Sequence, residues 1–469
     1  MKNRYDIIII GAGISGLVAG TYLAKRGYKV LIVEKNSFIG GCYSSFWRSG
    51  FKFDAIAQTI GSCGKSDILG SILNDLEIKV ELIRLEPTDF IHFPGETISI
   101  HSDFRKFESY LQERFKNERE NIEKFFKLIS GIDNNTKTLY VMKKYASRTY
   151  QSLLDSFFKD EILKGILSSH CGCLGLPPQE LAAASAVFLL KTYIIDGVYY
   201  PRGGAQEFSD SIGRAFKNLG GVIFLNSEIN KILIENNSVK GILLEGEEVL
   251  SDFIISASDV ISTYKNLIGF DKIKRDRVFY DKLNGFKCGN SSCILYLGLS
   301  KKADLENKNG WYYPSFDINR DLNQFMNIHI PTNYDSSLSK SGDKILIATF
   351  LFDYKKDKRN GRKEFKKGLV ERLISRIQSE VSDISGDVLV KEIATPLTIE
   401  KYTLNSKGAI GWSSLPDQAH LNSFPVKSPI ANLFHAGQWT LPGGGIVAVA
   451  VSGVNAAKKV WKKAEAQKK

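Results

Sequence analysis

Tyr5-Asp6-Ile7-Ile8-Ile9-Ile10-Gly11-Ala12-Gly13-Ile14-Ser15-Gly16 opens the chain, and Lys29-Val30-Leu31-Ile32-Val33-Glu34 follows after an alanine-rich helical stretch. Four successive isoleucines read as a strand buried on both faces, as in a parallel sheet. Gly11 makes the tight turn, Gly13 lets backbone approach a pyrophosphate, and Gly16 lets the next helix pack closely on the strand. The diphosphate then rests on the helix N-terminus. Residues 29–33 form a second strand, and Glu34 at its end is placed to accept hydrogen bonds from an adenosine ribose. No neighbouring Arg replaces it to favour a 2′-phosphate. A GxGxxG triplet alone is a weak signal; strand, turn, helix and acid in this order specify a dinucleotide site.

The rest of the 469-residue chain is too long for one ordinary core and implies two domains. A hydrophobic content of 43% against 24% charged residues is that of a folded soluble protein. The 28 Phe and 19 Tyr line an apolar cavity or simply fill core. The net charge of +12 favours acidic partners, but the basic residues are spread along the chain, which argues against nucleic acid. The densest runs, Lys355 to Lys367 and Lys458 to Lys469, suit either anionic lipid or solvent. No stretch reaches the roughly 18–20 apolar residues needed to span a bilayer; the longest, Leu181 to Ile195, is interrupted by Lys191. The first apolar segment is the nucleotide strand and carries no cleavage site, so no signal peptide is expected. The six cysteines lack paired CxxC spacing and read as free thiols of a cytoplasmic protein, and Cys171-Gly172-Cys173 without a second pair does not read as a metal site.

Nucleotide signals recur in separated pieces. Gly40-Gly41-Cys42 continues the first piece. The second holds Tyr199-Tyr200-Pro201-Arg202-Gly203-Gly204, a helix from Gln206 to Leu219, and strands at Val222 to Leu225, Ile229 to Glu235, Lys240 to Leu244 and Asp252 to Ser258. The last three read as a meander covering the nucleotide sheet. The third has the buried strand Leu433-Phe434-His435-Ala436-Gly437, the turn Pro442-Gly443-Gly444-Gly445, and a small-residue helix from Ile446 to Trp461.

In this order the motifs resemble the phytoene desaturase, carotenoid isomerase and retinol saturase family of flavoproteins, within the wider group that includes amine oxidases and the Rab GDP-dissociation inhibitors. Thr395-Pro396 with Tyr402, Gly408-Ala409, and Asn432-Leu433 through Ala456-Ala457 add to the resemblance. It implies an α/β fold: a Rossmann-like FAD-binding domain built from discontinuous segments 1–65, 199–264 and 406–469, with an inserted α+β substrate or cap domain from 66–198 and 265–405. It implies FAD held by Gly11, Ala12, Gly13, Ser15, Gly16, Glu34, Lys35, Gly40, Gly41, Cys42, Ile56, Ile229, Ala257, Gly437, Gln438, Gly444, Gly445, Ile446 and Val447. Within the inserts, Phe104 to Ile129 and Leu153 to Leu167 read as helical, and Cys293 to Leu299 and Ile345 to Phe352 as strands.

The implied activity is desaturation, saturation or redox-neutral isomerisation of carbon–carbon bonds in a carotenoid or other long apolar lipid. Quinone or oxygen is the implied electron acceptor, and peripheral contact with the inner face of a membrane is expected. An amine oxidase and a non-catalytic lipid carrier stay open beside it. Such chemistry asks little of side chains, and two are singled out: Arg148, ahead of a helix near Tyr150, and His435, on the strand before Gly437. Three positions depart from the family pattern. Ile56 stands where a glycine is common beside the flavin, Cys42 follows the paired glycines in place of Arg or Ser, and Gln438 replaces an Asp found in some members.

Overall fold

The computed structural model describes residues 4–132, 144–360 and 363–468. Gly361 and Arg362 of one basic run and Lys469 of the other lie outside the described residues.

The isoleucine run forms the Arg4–Ile10 strand in the middle of a seven-stranded sheet. Strand alternation explains why all four isoleucines are needed. Ile7 and Ile9 enter a core with Leu17 and Val18 of the Ile14–Lys25 helix, Phe208 and Phe216 of Ala205–Asn218, and Ala450 and Val454 of Ile446–Lys468. Ile8 and Ile10 enter the core of the opposite face, with Leu31, Ile254 and Phe424. Each buried side chain of this size contributes about 1.5–3 kcal/mol.

The strand order is Val222–Phe224, Val30–Val33, Arg4–Ile10, Glu247–Ser256, Ser238–Leu244, Ile229–Glu235, with Leu433–His435 pairing parallel to Glu247–Ser256. The meander therefore joins the sheet at its edge; it does not cover a face as the sequence suggests. The reason is the length of Glu247–Ser256. Its first residues pair antiparallel, Leu250 opposite Gly241, while Leu250 to Ser256 run parallel beside Arg4 to Ile10.

Both inserts contribute to a second seven-stranded sheet, ordered Val388–Ala394, Ser291–Leu299, Lys344–Phe352, Met326–His329, Gly310–Tyr312, Asp89–Phe93, Glu96–Ile100. A helical lobe packs beside it around Phe125, Phe158, Leu163 and Val187. The long helix expected over Phe104 to Ile129 is two, Phe104–Arg114 and Arg119–Ser130, joined by a short 3-10 turn. Leu153 to Leu167 is likewise divided, and Asp160 starts its second half by accepting a hydrogen bond from Leu163 N at 3.0 Å. No helix among the described residues is long and apolar enough to cross a membrane. Leu181 to Ile195 supplies Ala183–Leu190 and a widened turn, Lys191–Ile195.

A small sheet of Ile60–Gly61, Val198–Pro201 and Leu82–Arg84 ties the two parts together. Asp54 strengthens this junction. Its buried carboxylate accepts from Tyr200 Oη at 2.7 Å, Ser45 Oγ at 2.7 Å and Ala205 N at 2.8 Å, so it caps the Ala205–Asn218 helix from a distant strand.

Candidate functional site

Register brings the scattered signals together. Ile10 stands beside both Val33 and Ser256, Val33 beside Phe224, and Ser256 beside His435. The parallel strands thus end in one row, and the residues just beyond are Gly11, Glu34, Ala257 and Ala436-Gly437. Ligands of open parallel sheets bind at this carboxyl edge.

At its centre the Ile14–Lys25 helix begins from Gly13 with no side-chain cap and no acid in its first turn, leaving its leading N–H groups for an anion. Gly40 N donates to Ala12 O at 2.8 Å, which lays the Gly40-Gly41 turn alongside Gly13. Glu34 is buried, with Oε2 accepting from Ala12 N at 2.9 Å and Oε1 from Asn36 N at 2.9 Å and Asn36 Nδ2 at 2.8 Å. The acid thus braces the turn as well as facing the cavity. On the far side Ser452 Oγ accepts from Gly437 N at 3.0 Å, and Ile446–Lys468 starts with no acid in its first turn.

A single cavity of about 720 Å³ runs from this edge into the cap. Of the nineteen cofactor-binding positions read from sequence, seventeen line it: Gly11, Gly13, Ser15, Glu34, Lys35, Gly40, Gly41, Cys42, Ile56, Ile229, Ala257, Gly437, Gln438, Gly444, Gly445, Ile446 and Val447. Ala12 and Gly16 stand behind it. Ala12 offers its backbone to Glu34 and Gly40, and a Cβ on Gly16 would lie 2.1 Å from Gly11 O. Gly13 and Gly445 are different, for a Cβ on either meets nothing within 4 Å. Gly16 is therefore a packing requirement and Gly13 a space requirement.

Burial pushes the Cys42 thiol up to about 11, so it is uncharged at neutral pH, with Asn405 Nδ2 3.8 Å from its sulfur. Tyr296 Oη donates to Ala55 O and fixes the backbone beside Ile56. The Pro396–Thr403 helix, assigned to the cap by sequence, reaches the nucleotide end: Lys35 Nζ donates to Lys401 O at 2.8 Å and Asn36 Nδ2 to Tyr402 O at 3.0 Å.

The two candidate catalytic side chains lie elsewhere. Arg148 is outside the cavity wall, with Nε donating to Ser152 Oγ at 3.0 Å and Nη2 to Ser152 O at 2.5 Å across the first turn of Tyr150–Asp155. His435 is fully buried, and Nε2 pairs with Tyr264 Oη at 2.9 Å on the sheet face away from the glycine turns. Its place in the Leu433–His435 strand turns the ring into that core, while the chain reaches the cavity only at Gly437. Neither side chain lines the cavity.

Burial lowers His435 to about 3, so the folded state holds it neutral. Its ordinary value is 6.5, and stability is complete above that pH and is lost as pH falls toward 3, at about 1.4 kcal/mol per unit. His435→Leu is expected to flatten the pH dependence of urea unfolding between pH 6 and 4.5 by about that slope. An unaltered slope would show that this group does not resist protonation.

Most cap residues of the cavity carry no local sequence signal. Cys173, Leu174, Phe188, Leu189, Trp311, Phe325, His329, Tyr334 and Leu351 line the cavity from segments up to 178 residues apart, with no shared motif. Three of them, Leu174, Phe188 and Leu189, lie in or just ahead of the apolar run Leu181 to Ile195, which resembles the family's cap.

The flavin containing amine oxidoreductase family matches residues 14–461. The chain is 27% identical to the chloroplastic prolycopene isomerase of Daucus carota over 98% of its own length and 80% of that protein. It is 26% identical to a 4,4'-diapophytoene desaturase (4,4'-diapolycopene-forming) of a Methylomonas species, covering 99% and 96%. Its fold matches an oxidoreductase of Methanosarcina mazei with a TM-score of 0.70, 18% identity and coverage of 97% and 100%. A flavin carried as a dinucleotide is FAD, and the residues fit it: an uncapped helix start, open space over Gly13 and Gly445, and an acid at the second strand's end.

Proposed function

This chain belongs to the flavin containing amine oxidoreductase family, and from that premise we propose that it desaturates or isomerises carbon–carbon bonds of a carotenoid-like polyene or other long apolar lipid. Bound FAD supplies the site that accepts or returns a hydride. The chain's part is to bind, orient and keep water out. The first-turn N–H groups of Ile14–Lys25 would hold the diphosphate, and those of Ile446–Lys468 would favour negative charge placed before them. Phe188, Leu189, Phe325 and Leu351 set which carbon of an extended chain stops at reacting distance.

The observation that carries this reading is the continuity of the cavity from the glycine cradle to those apolar side chains. Tyr402, Leu404 and Ile410 are exposed large apolar residues on its wall, beside Lys401 and Lys407, and they support uptake from a lipid surface. Quinone or oxygen removes the electrons where the reaction is a net oxidation.

Anaerobic incubation of FAD-loaded protein with a polyene and lipid-extract panel in anionic vesicles tests the proposal. Flavin bleaching with a product two hydrogens lighter identifies desaturation, and a mass-neutral product that needs pre-reduced flavin identifies isomerisation. Bleaching by amines with no polyene turnover would overturn it in favour of amine oxidation.

A further inference from the structure

The cap sheet turns one face to the cavity, and that face is not uniformly apolar. Asn327 stands opposite both Trp311 and Thr349, and His329 follows two residues later on the same side, opposite Ile347. Trp311 pairs with Ile91, and Asp89, two residues earlier, accepts from Trp311 Nε1 at 2.6 Å. Asn309 donates Nδ2 to Tyr334 Oη at 2.9 Å, so the Tyr334 proton has no acceptor among the described residues. Burial first, and the nearby charge of Asp89 second, keep that phenol protonated. The His329 and Tyr334 rings lie 6.0 Å apart.

Two of these groups are left open. His329 is 5% and Thr88 4% exposed, both line the cavity, and His329 Nε2 and Thr88 Oγ1 have no partner among the described residues. Burying such an atom unpaired costs about 1–3 kcal/mol. A wall built for a plain hydrocarbon would be more stable with leucine or phenylalanine there. The surrounding set holds a free donor, Tyr334 O–H, and acceptors at Thr88 and Asp89. A hydroxyl both donates and accepts, whereas a carbonyl only accepts.

We propose that the substrate carries a hydroxyl, received in the cap by His329 and Thr88 with Tyr334 and Asp89 beside them. This deepens the polyene reading and rests on it. Site groups that must pair with a substrate oxygen discriminate strongly against the analogue lacking it, because they are otherwise left unpaired.

The test is equilibrium binding to the FAD-loaded protein, read by quenching of tryptophan emission and by perturbation of flavin absorbance. The probes are a linear C20 isoprenoid alcohol, its methyl ether and the hydrocarbon of the same chain. The alcohol is expected to bind about tenfold or more tighter than the hydrocarbon, about 1.4 kcal/mol, with the ether between them. His329→Leu is expected to remove most of that preference with hydrocarbon affinity retained, and His329→Gln to restore part of it. Equal wild-type affinity for alcohol and hydrocarbon would overturn the hydroxyl site and leave the polyene reading standing. Binding of none of the three would overturn both. An undiminished preference in both His329→Leu and Asn309→Leu would overturn the placement of the site.

Discussion

Gly13→Glu is expected to yield a folded, colourless protein. Gly13 has φ −69° and ψ 172°, an extended conformation open to any residue, and a Cβ there meets no atom within 4 Å. The fold therefore accepts the side chain, and melting temperature should stay within a few degrees of the wild-type apoprotein. The carboxylate, however, enters the space in front of the uncapped helix start, where it repels the diphosphate and takes over the N–H groups meant for it. FAD affinity is expected to fall by at least about 100-fold, roughly 3 kcal/mol. Titration of apoprotein with FAD, followed by flavin fluorescence, measures this directly. Retention of near-normal affinity would move the diphosphate away from Gly13.

Gly16→Val, three residues on, is expected to fail at an earlier stage. Its Cβ would lie 2.1 Å from Gly11 O and 3.3 Å from Ala257 Cβ, and Gly11 is itself held at φ +96° in the turn. Backbone cannot yield there without moving the helix off the sheet. The cost is about 4 kcal/mol or more, at the exceptional end for one substitution, and the expected result is little soluble protein. Chemical denaturation of whatever folds gives the measurement. A variant that is stable and lacks only FAD would mean that Gly16 faces the cofactor. Together the two substitutions separate packing from binding inside one short motif.

Acid–base candidates divided on a different principle. His435 and His329 are both buried and both have values pushed down by burial to about 3. Each leaves one buried ring nitrogen without a partner among the described residues, but His435 sits in a closed core with Tyr264, whereas His329 lines the cavity. Nothing local to either histidine tells them apart. His435 neighbours a recognisable glycine, whereas His329 stands in a short strand between unremarkable residues. Arg148 stands ahead of a helix and hydrogen-bonds within it to Ser152.

What the chain determined by itself was the cofactor end. Tight turns, close helix approach and a buried parallel strand each demand particular residues at fixed spacing, so Gly11, Gly13, Gly16, Glu34 and the Gly443 to Gly445 turn could be read locally. Their convergence also followed, since parallel strands of matched register end in one row. Tertiary structure alone decided the substrate end. The cap sheet draws its cavity face from Asp89, Ser292, Trp311, Asn327, His329 and Thr349, on five strands from two inserts. Which residue of a strand faces the cavity depends on register against its neighbours, and a shift of one residue reverses every side chain. That register is set by long-range pairing and by which face is buried, neither of which a local stretch of sequence records.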